Sequence, residues 1–403
     1  MVCGVGSTGR IVSDLIYSAN NNGHSAKVAC ATLEPAKQVA NKDIIYVGSK
    51  LDYYIHNILS RFTDHEGLFS KNATKRLIDQ IKEYTPDIVH LHNIHGHWIN
   101  FEILFKYLSE TNVKVVWTLH DCWGFTGHCS YFSVLGCEQW KTLCRKCLGT
   151  KVYPMCYGKG DARHNFERKK NAFTSIDPHR LTIVSVSNWL DNFVGDSFLK
   201  NYPHIIIHNG IDLDNFKPLN NVDIVRNKLG IKDSEVMILG VACPWSKRKG
   251  LQDFIELNKI LPPTKKIVLV GLNEKQIKLL PSSIIGIQRT NSVKELAEYY
   301  AAADIFLNLT YEDNYPTTNL ESISCGTPCL TYRTGGSPES ITENIGYVVR
   351  RGDISSVAAI INTIHARNID KTRQCRDYAE HNFSSNKSYE QYFQLYESLI
   401  SCS

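Results

Sequence analysis

Three carboxylates fall within ten residues of the stretch YEDNYPTTNLES: Glu312, Asp313 and Glu321. An apolar run ends near Leu309, so the first two acids sit on the loop beyond a strand. Pro316 then opens a helix, where its missing N–H is no loss. That helix start offers free N–H groups and a positive dipole end, an arrangement suited to a phosphate. Glu321, about one turn in, is placed to accept hydrogen bonds from the vicinal hydroxyls of a ribose. Asp313, on the preceding loop, is within reach of a sugar hydroxyl. The competing reading is a solvated acidic loop followed by a helix-start carboxylate.

Other clusters carry their own chemistry. HLHNIHGHW holds His90, His92, His95 and His97. The first pair alternates along a strand and the second lies on the loop beyond it, a poor geometry for converging four metal ligands. An acceptor-facing loop presenting Asn93, His95 and Gly96 is the better reading. His120 and Asp121 end another strand, where a histidine is most often a hydrogen-bonded structural residue. Cys129, Cys137, Cys144 and Cys147 are spaced C-x7-C-x6-C-x2-C. This spacing suits a tetrahedral structural zinc that staples an insertion, with His128, Cys122 or Cys156 as substitute ligands; reduced thiols packing a small subdomain are the alternative. The opening MVCGVGSTGR spells G-x-G-x-x-G through Gly4, Gly6 and Gly9. A dinucleotide fingerprint needs an acid about 20 residues on, at the end of a second strand. The nearest, Glu34, lies further along, so a dehydrogenase is excluded.

The elements that position these residues are short β-branched runs alternating with helical patterns. In the first half the runs include VKVVWTLHD and TIVSVSN; in the second, EVMILGVA, KKIVLVG and ADIFLNL. This is the pattern of parallel α/β units, whose continuous apolar strands are covered by helices on both faces. A chain of 403 residues implies two such doubly wound domains. The expected division is 1–208, with a cysteine-rich insertion at about 121–160, then 209–385, with a C-terminal helix at 386–403 packing back on the first domain. The join falls near NGIDLDNFKP. Ligands then bind beyond the carboxyl ends of the strands, in a cleft between the sheets.

Composition is that of a soluble protein, 43% hydrophobic and 21% charged, with neither a bilayer-spanning run nor a signal-peptide core. The expected location is the cytoplasm, with peripheral contact at the inner face of the membrane. Residues 1–180 carry 22 Lys and Arg against 16 Asp and Glu, and the remainder 23 against 24. Lys141, Arg145, Lys146, Lys151, Arg163, Arg168, Lys169 and Lys170 cluster near the cysteines, either as a face for a membrane or lipid-diphosphate acceptor or as solvated surface. No dense basic helix or nucleic-acid module is present, so no nucleic-acid partner is expected.

Taken in order, these motifs resemble the retaining glycosyltransferases of family 4, over essentially the whole chain. The acidic stretch resembles that family's E-x7-E region, GVACPWSKRKG its phosphate loop, TGGSPE its Gly-Gly-x-Pro-Glu turn, and SVSNWL with HNGIDLDNFKP its inter-domain segment. VCGVGSTGRI, VHLHNIHGHWIN and LHDCWGFTGHC resemble a bacterial subgroup that builds polysaccharide and lipopolysaccharide. The resemblance implies the GT-B fold of two facing Rossmann-like domains. It implies that Glu321 holds the nucleotide ribose, that Asp313 (aspartate where the family has glutamate) or Glu312 meets the donor sugar, and that N–H groups around Thr318, Asn319 and Leu320 face the phosphates. Lys249, with Arg248, would stabilise the charge that builds on the leaving diphosphate; Val241 stands where family members usually carry a further arginine. His120 would contact the donor sugar, and the loop of Gly4, Gly6 and Ser7 would approach acceptor and phosphates. The family's first strand precedes the position of Val2, so a truncated or mis-started chain lacking a central strand is expected.

The function expected is transfer of a sugar from a nucleotide-diphosphate donor to a saccharide or lipid-linked saccharide, with retention. No cofactor is needed for catalysis, and zinc enters only as a structural ion. Rival readings are another GT-B enzyme, a phosphorylase or sugar-nucleotide epimerase, and an inactive relative that only binds saccharide or nucleotide sugar.

Overall fold

A computed structural model describes residues 3–4, 6–31, 39–219 and 221–401; Met1, Val2 and Glu34 lie outside them. The chain divides into two compact units, Met1–His208 with Tyr389–Ser403, and Asn209–Ser388.

The first unit runs α1 (Gly6–Asn21), β1 (Val28–Ala31), β2 (Ile44–Val47), α2 (Lys50–Thr63), α3 (Lys71–Tyr84), β3 (Ile88–Leu91), α4 (Phe101–Ser109), β4 (Lys114–Leu119), α5 (Ala162–Phe173), β5 (Leu181–Ser185), α6 (Asn188–Asp196) and β6 (His204–Ile206). Strands β3 to β6 form one parallel sheet in sequence order, and β1 pairs β2 in a separate parallel pair. An apolar cavity of about 500 Å³ touches both Val28 and Ala29 of the pair and Ile88–Leu91 of the larger sheet. Strand β4 is apolar at both alternating positions and is buried from Val115 to Leu119, as a two-faced parallel strand requires. Its Trp117 packs with Phe105 of α4 and Phe173 of α5, the ring centroids of the last pair 4.9 Å apart.

Between β4 and α5 the chain makes only short 3-10 turns, at Trp123–Phe125, Ser133–Leu135 and Gln139–Lys141. This stretch is held by aromatic stacking: Phe132 lies 5.1 Å from Trp140 and 5.2 Å from Phe193 of α6. Glu102 pairs Arg168, and Glu167 pairs Arg163, on α5.

The second unit runs α7 (Asp223–Lys228), β7 (Val236–Val241), α8 (Leu251–Ile260), β8 (Lys265–Val270), α9 (Glu274–Leu279), β9 (Ile284–Ile287), α10 (Val293–Ala302), β10 (Ile305–Asn308), α11 (Thr317–Ser324), β11 (Cys329–Tyr332), β12 (Gly346–Val349), α12 (Ile354–Thr363) and α13 (Ile369–Asn382). The last helix, α14 (Ser385–Ser401), carries Tyr389 and Tyr392 into a cluster with Leu15, Val116, Val184 and Ile207 of the first unit. In the second unit's all-parallel sheet the order is β12-β11-β10-β7-β8-β9. Strand β7 is flanked by β8 on one side and β10 on the other, so the winding direction reverses between β7 and β10. The loops leaving these two strands diverge at their carboxyl ends, which is where such sheets bind ligands.

Candidate functional site

The reversal point brings the basic and acidic motifs of the second unit together. After β7 the chain passes Trp245 to a 3-10 turn, Lys247–Lys249, and after β10 it carries Glu312 and Asp313. Gly250 permits this approach, and Gly335, on the loop after β11, lets that third loop close on Asp313. Gly250 has φ +75° and a Cβ there would lie 2.1 Å from Leu309 O; Gly335 has φ +56° and its Cβ would lie 1.8 Å from Asp313 O. No other residue fits either place. The turn is thereby pinned to the end of β10, with the N–H of Tyr311 donating to Arg248 O at 2.7 Å.

Lys249 lies on this turn and outside α8, because left-handed Gly250 separates the two. Pro316, likewise, is the cap residue just before α11 rather than its first turn.

Lys249 Nζ lies 2.5 Å from Asp313 Oδ2, and Arg248 approaches the same oxygen at 3.9 Å while donating to Glu312 O at 2.5 Å. Burial raises the Asp313 pKa, but the Lys249 and Arg248 charges outweigh it and hold the carboxyl below its ordinary value. Glu312 is buried. Glu321 is buried in α11 and its Oε2 accepts from the Tyr300 hydroxyl at 2.9 Å. Asn319 is locked: its amide donates to Ser337 and Ser340 and accepts from Asn308. Leu320 is a core side chain, so only its backbone remains for a ligand, and Thr318 is half-buried. Val241 ends β7 and is half-buried.

In the first unit the histidines separate into networks. His90 bonds Tyr396 through Nδ1 at 2.6 Å and Thr118 through Nε2 at 2.8 Å, and Thr118 meets Tyr392 at 3.0 Å. His92 Nδ1 lies 3.0 Å from His120 Nε2. Burial pushes His120 down to about 4 and His90 to about 3, so both rings are neutral near neutral pH. His95 Nε2 pairs with Asp121 Oδ2 at 3.0 Å and its Nδ1 meets the Tyr153 hydroxyl at 3.3 Å. Glu66 binds the backbone N–H groups of Gly96 and His97 and pairs with His97 Nδ1 at 2.6 Å. Asn93 stands beside this loop, its carbonyl accepting from the Trp98 indole.

Among the described residues, one trio of possible metal ligands has all its ligand atoms within 4.8 Å: His56, Glu66 and His97. Both His56 nitrogens are already used, by Ser70 Oγ at 2.8 Å and by the Gly67 N–H at 3.2 Å. This is a hydrogen-bonded network that folds the histidine loop, rather than an open cation site.

The four cysteines line a single cavity of about 20 Å³, together with Trp140 and His128. Cys129 and Cys147 sulfurs lie 3.3 Å apart, well beyond a disulfide bond. The N–H groups of Gly127 and Gly149 donate to Cys144 and Cys147. No three of the four sulfurs are mutually within 4.8 Å. Beside the cavity, Lys169 is fully buried, its ammonium 3.4 Å over the Trp123 ring and bonded to two carbonyls. The basic surface expected here is therefore smaller than its residue count: Lys169 is internal, and Arg168, Arg163 and Lys141 are paired. At the chain start Gly4 and Gly6 both have φ +72°, and α1 begins at Gly6 with Ser7 exposed. A Cβ on Gly6 would meet nothing within 4 Å, so conformation and not crowding requires glycine there.

With this geometry in hand, comparison with known families is decisive. The description "Glycosyltransferase Family 4" matches residues 8–215, and "Glycosyl transferases group 1" matches residues 221–382. The chain belongs to glycosyltransferase family 4. A similar relative is the colanic acid biosynthesis glycosyl transferase WcaC of Escherichia coli (strain K12), 24% identical and aligned over 78% of this chain and 77% of its own. Sucrose-phosphate synthase from Thermosynechococcus elongatus superposes with a TM-score of 0.71 at 16% identity, covering 100% of this chain and 96% of that one. Anabaena HepE, solved in complex with UDP, gives 0.66 at 14% identity over 98% of each chain. These likenesses establish the GT-B fold of this family-4 glycosyltransferase. No helix among its described residues is long and apolar enough to cross a membrane.

Sequence reasoning missed three residues that stand behind the motifs of this glycosyltransferase. Tyr300, which buttresses Glu321, comes from α10 and carries no motif. Glu66, which organises the histidine loop, and Tyr396, which caps His90 from α14, are distant in sequence. Each is legible only as a partner in space.

Proposed function

We propose that the protein transfers a sugar, with retention of anomeric configuration, from a nucleotide-diphosphate donor to a saccharide or lipid-linked saccharide in cell-surface polysaccharide synthesis. The observation that carries this reading is the Arg248–Lys249–Asp313 group at the reversal point of the second sheet. Two cations are fixed there against the loop that leads into α11, and the dipole at the start of that helix favours a diphosphate, although the Asn319 N–H is already taken by Pro316 O. Glu321 is held one turn in by Tyr300 and serves the ribose hydroxyls. Charge developing on the leaving diphosphate is met by Lys249 and Arg248, groups already fixed by Asp313 and by Glu312 O, so little reorganisation accompanies bond breaking. Asp313, while holding Lys249 through Oδ2, also presents its carboxylate to a sugar hydroxyl.

His120, neutral and held by His92, acts as a hydrogen-bonding group toward the sugar and not as a nucleophile. The leaving phosphate takes the acceptor proton on the same face, which accounts for retention without an enzyme nucleophile. The loop at Gly4, Gly6 and Ser7 and the Asn93–His95 loop belong to the acceptor side of the first unit. Support from relatives is the complexes of HepE with UDP and with UDP-glucose and the colanic acid biosynthesis in the name of WcaC. The Cys129, Cys137, Cys144 and Cys147 set is proposed to hold a structural zinc, Cys129 and Cys147 supplying the first two thiolates. The test of the whole reading is a nucleotide-sugar panel, with proton NMR of the product. An α-linked product from an α-linked donor is expected; an inverted linkage overturns retention, and phosphate-dependent sugar release would indicate a phosphorylase.

A further inference from the structure

Helix α2 is built with its apolar side outward. Its start is well made: Ser49 Oγ accepts from the Asp52 N–H, and the Asp52 carboxylate accepts from the Ser49 N–H. Leu51, Tyr54, Ile55, Ile58, Leu59 and Phe62 recur at helical spacing, forming one stripe. On an ordinary surface helix such a stripe faces the core. Here all six are exposed, Leu51 and Phe62 by 68% and 66%. The inward side instead carries the polar residues His56 and Ser60, both buried. The helix cannot roll over, because His56 is fixed by Ser70 and Gly67.

A second segment extends the same face. The Tyr157 N–H donates to Arg61 O at 2.7 Å, the Tyr157 ring lies 6.0 Å from that of Phe62, and Arg61 donates to the Tyr157 hydroxyl at 3.0 Å. A Cβ on Gly158 would lie 2.7 Å from Phe62 O, so this loop abuts the end of α2 directly. Val152, Tyr153, Met155 and Tyr157 are exposed on it, between exposed Lys151 and Lys159. From Gln139 to Gly160 the chain contains no Asp or Glu. On α2 itself Lys50 is exposed, and Asp52 is engaged in the cap.

We propose that this face seats on an anionic lipid surface, with the α2 stripe at the acyl boundary and Lys50, Lys151 and Lys159 among the headgroups. Apolar side chains flanked by tyrosines and lysines match that boundary in both polarity and charge. A second copy of the chain is the poorer occupant. A two-fold interface would set a basic loop devoid of carboxylates against the same patch of its mate. The proposal stands independently of the donor chemistry, since none of the residues substituted in its test belongs to the sugar-transfer site; Tyr153 alone touches that site, through His95.

The test is co-sedimentation of the purified full chain with vesicles of phosphatidylcholine alone and of phosphatidylcholine with about one-third phosphatidylglycerol. Binding to the anionic vesicles is expected, roughly tenfold weaker on the neutral ones and weakened by salt. The double variant Ile55→Ser, Phe62→Ser should lose roughly tenfold in partition while keeping its thermal midpoint, since both side chains are exposed. Lys151→Glu with Lys159→Glu should remove the anionic preference alone. Failure to sediment with either vesicle, or equal binding by the Ile55, Phe62 variant, overturns the proposal. So does a dimer in velocity sedimentation that Ile58→Ser dissolves, which would assign the stripe to a second copy.

Discussion

Lys249 Nζ and Asp313 Oδ2 lie 2.5 Å apart across the point where the second unit's sheet reverses its winding. Each comes from a loop leaving a different strand, and Gly250 lets the first of these loops close on the end of β10. The pair keeps a cation fixed at the position assigned to a leaving phosphate. Lys249→Ala should lower kcat by on the order of 10²- to 10³-fold, the range seen when a preorganised charge-stabilising group is removed. Asp313→Asn keeps the cation but loosens its hold, and should raise the donor KM while lowering kcat less than Lys249→Ala does. Steady-state kinetics on the two variants check this; unchanged transfer by Lys249→Ala would remove the lysine from the mechanism.

The Tyr300–Glu321 hydrogen bond is buried, so its loss registers in stability as well as binding. Tyr300→Phe leaves one carboxylate oxygen short of a donor and should cost about 1–2 kcal/mol of unfolding free energy. It should also weaken donor binding while sparing kcat at saturation. Urea unfolding and a KM-against-kcat comparison together separate the two effects.

Gly335 and Gly250 should tolerate no side chain. Alanine at either adds a Cβ within about 2 Å of a carbonyl oxygen, on top of a left-handed backbone. Gly335→Ala should displace the Asp313 backbone and depress activity by more than its thermal shift would suggest. Gly6→Ala, with open space around it, should show only the backbone penalty of about 1 kcal/mol. Thermal midpoints and rates for the three variants test that ranking.

Acid should destabilise the first unit earlier than carboxylate titration alone predicts. His120 and His90 are pushed by burial to about 4 and about 3. Between the ordinary histidine pKa near 6.5 and those values, the unfolded chain binds protons that the native rings refuse. Stability therefore falls as pH falls through that window. His120 alone accounts for on the order of 3 kcal/mol at its lower end. Glu66, lowered to about 2 because its His97 partner outweighs the burial that raises it, adds a loss only below about 4.5. His128 works oppositely: burial lowers it, the Asp64 hydrogen bond and charge more than restore it, and its contribution fades as pH rises. Urea midpoints from about pH 7.5 to about pH 5 should decline, with a shallower slope in His120→Gln. A flat profile would mean the rings are solvated.

The cysteine proposal predicts near-stoichiometric zinc in protein purified without chelator, and thiolate-to-metal absorption bands after cobalt substitution. Cys147→Ser should abolish both. Metal-free protein with four freely titrating thiols would leave the cluster as packing for the Phe132–Trp140 core.

The order of strands and helices was legible from the sequence, because continuous apolar runs between helical periods have few other solutions than parallel α/β units. The motifs around Lys249, Asp313 and Glu321 were legible too, since phosphate and sugar binding call for particular residue types at particular elements. Sequence spacing did not show that Lys249 sits on a separate 3-10 turn, because the closing Gly250 acts through contact with Leu309, 59 positions away. Nor did it show that the histidine-rich stretch divides into four groups, anchored by Tyr396, His120, Asp121 and Glu66. Local sequence determined which residues share an element, through periodicity and turn chemistry. Tertiary structure alone decided which charges meet, which of eight basic residues near the cysteines are neutralised or buried, and that the apolar side of α2 faces outward. Those outcomes depend on packing between distant segments, and hydrophobic periodicity specifies a face without specifying what covers it.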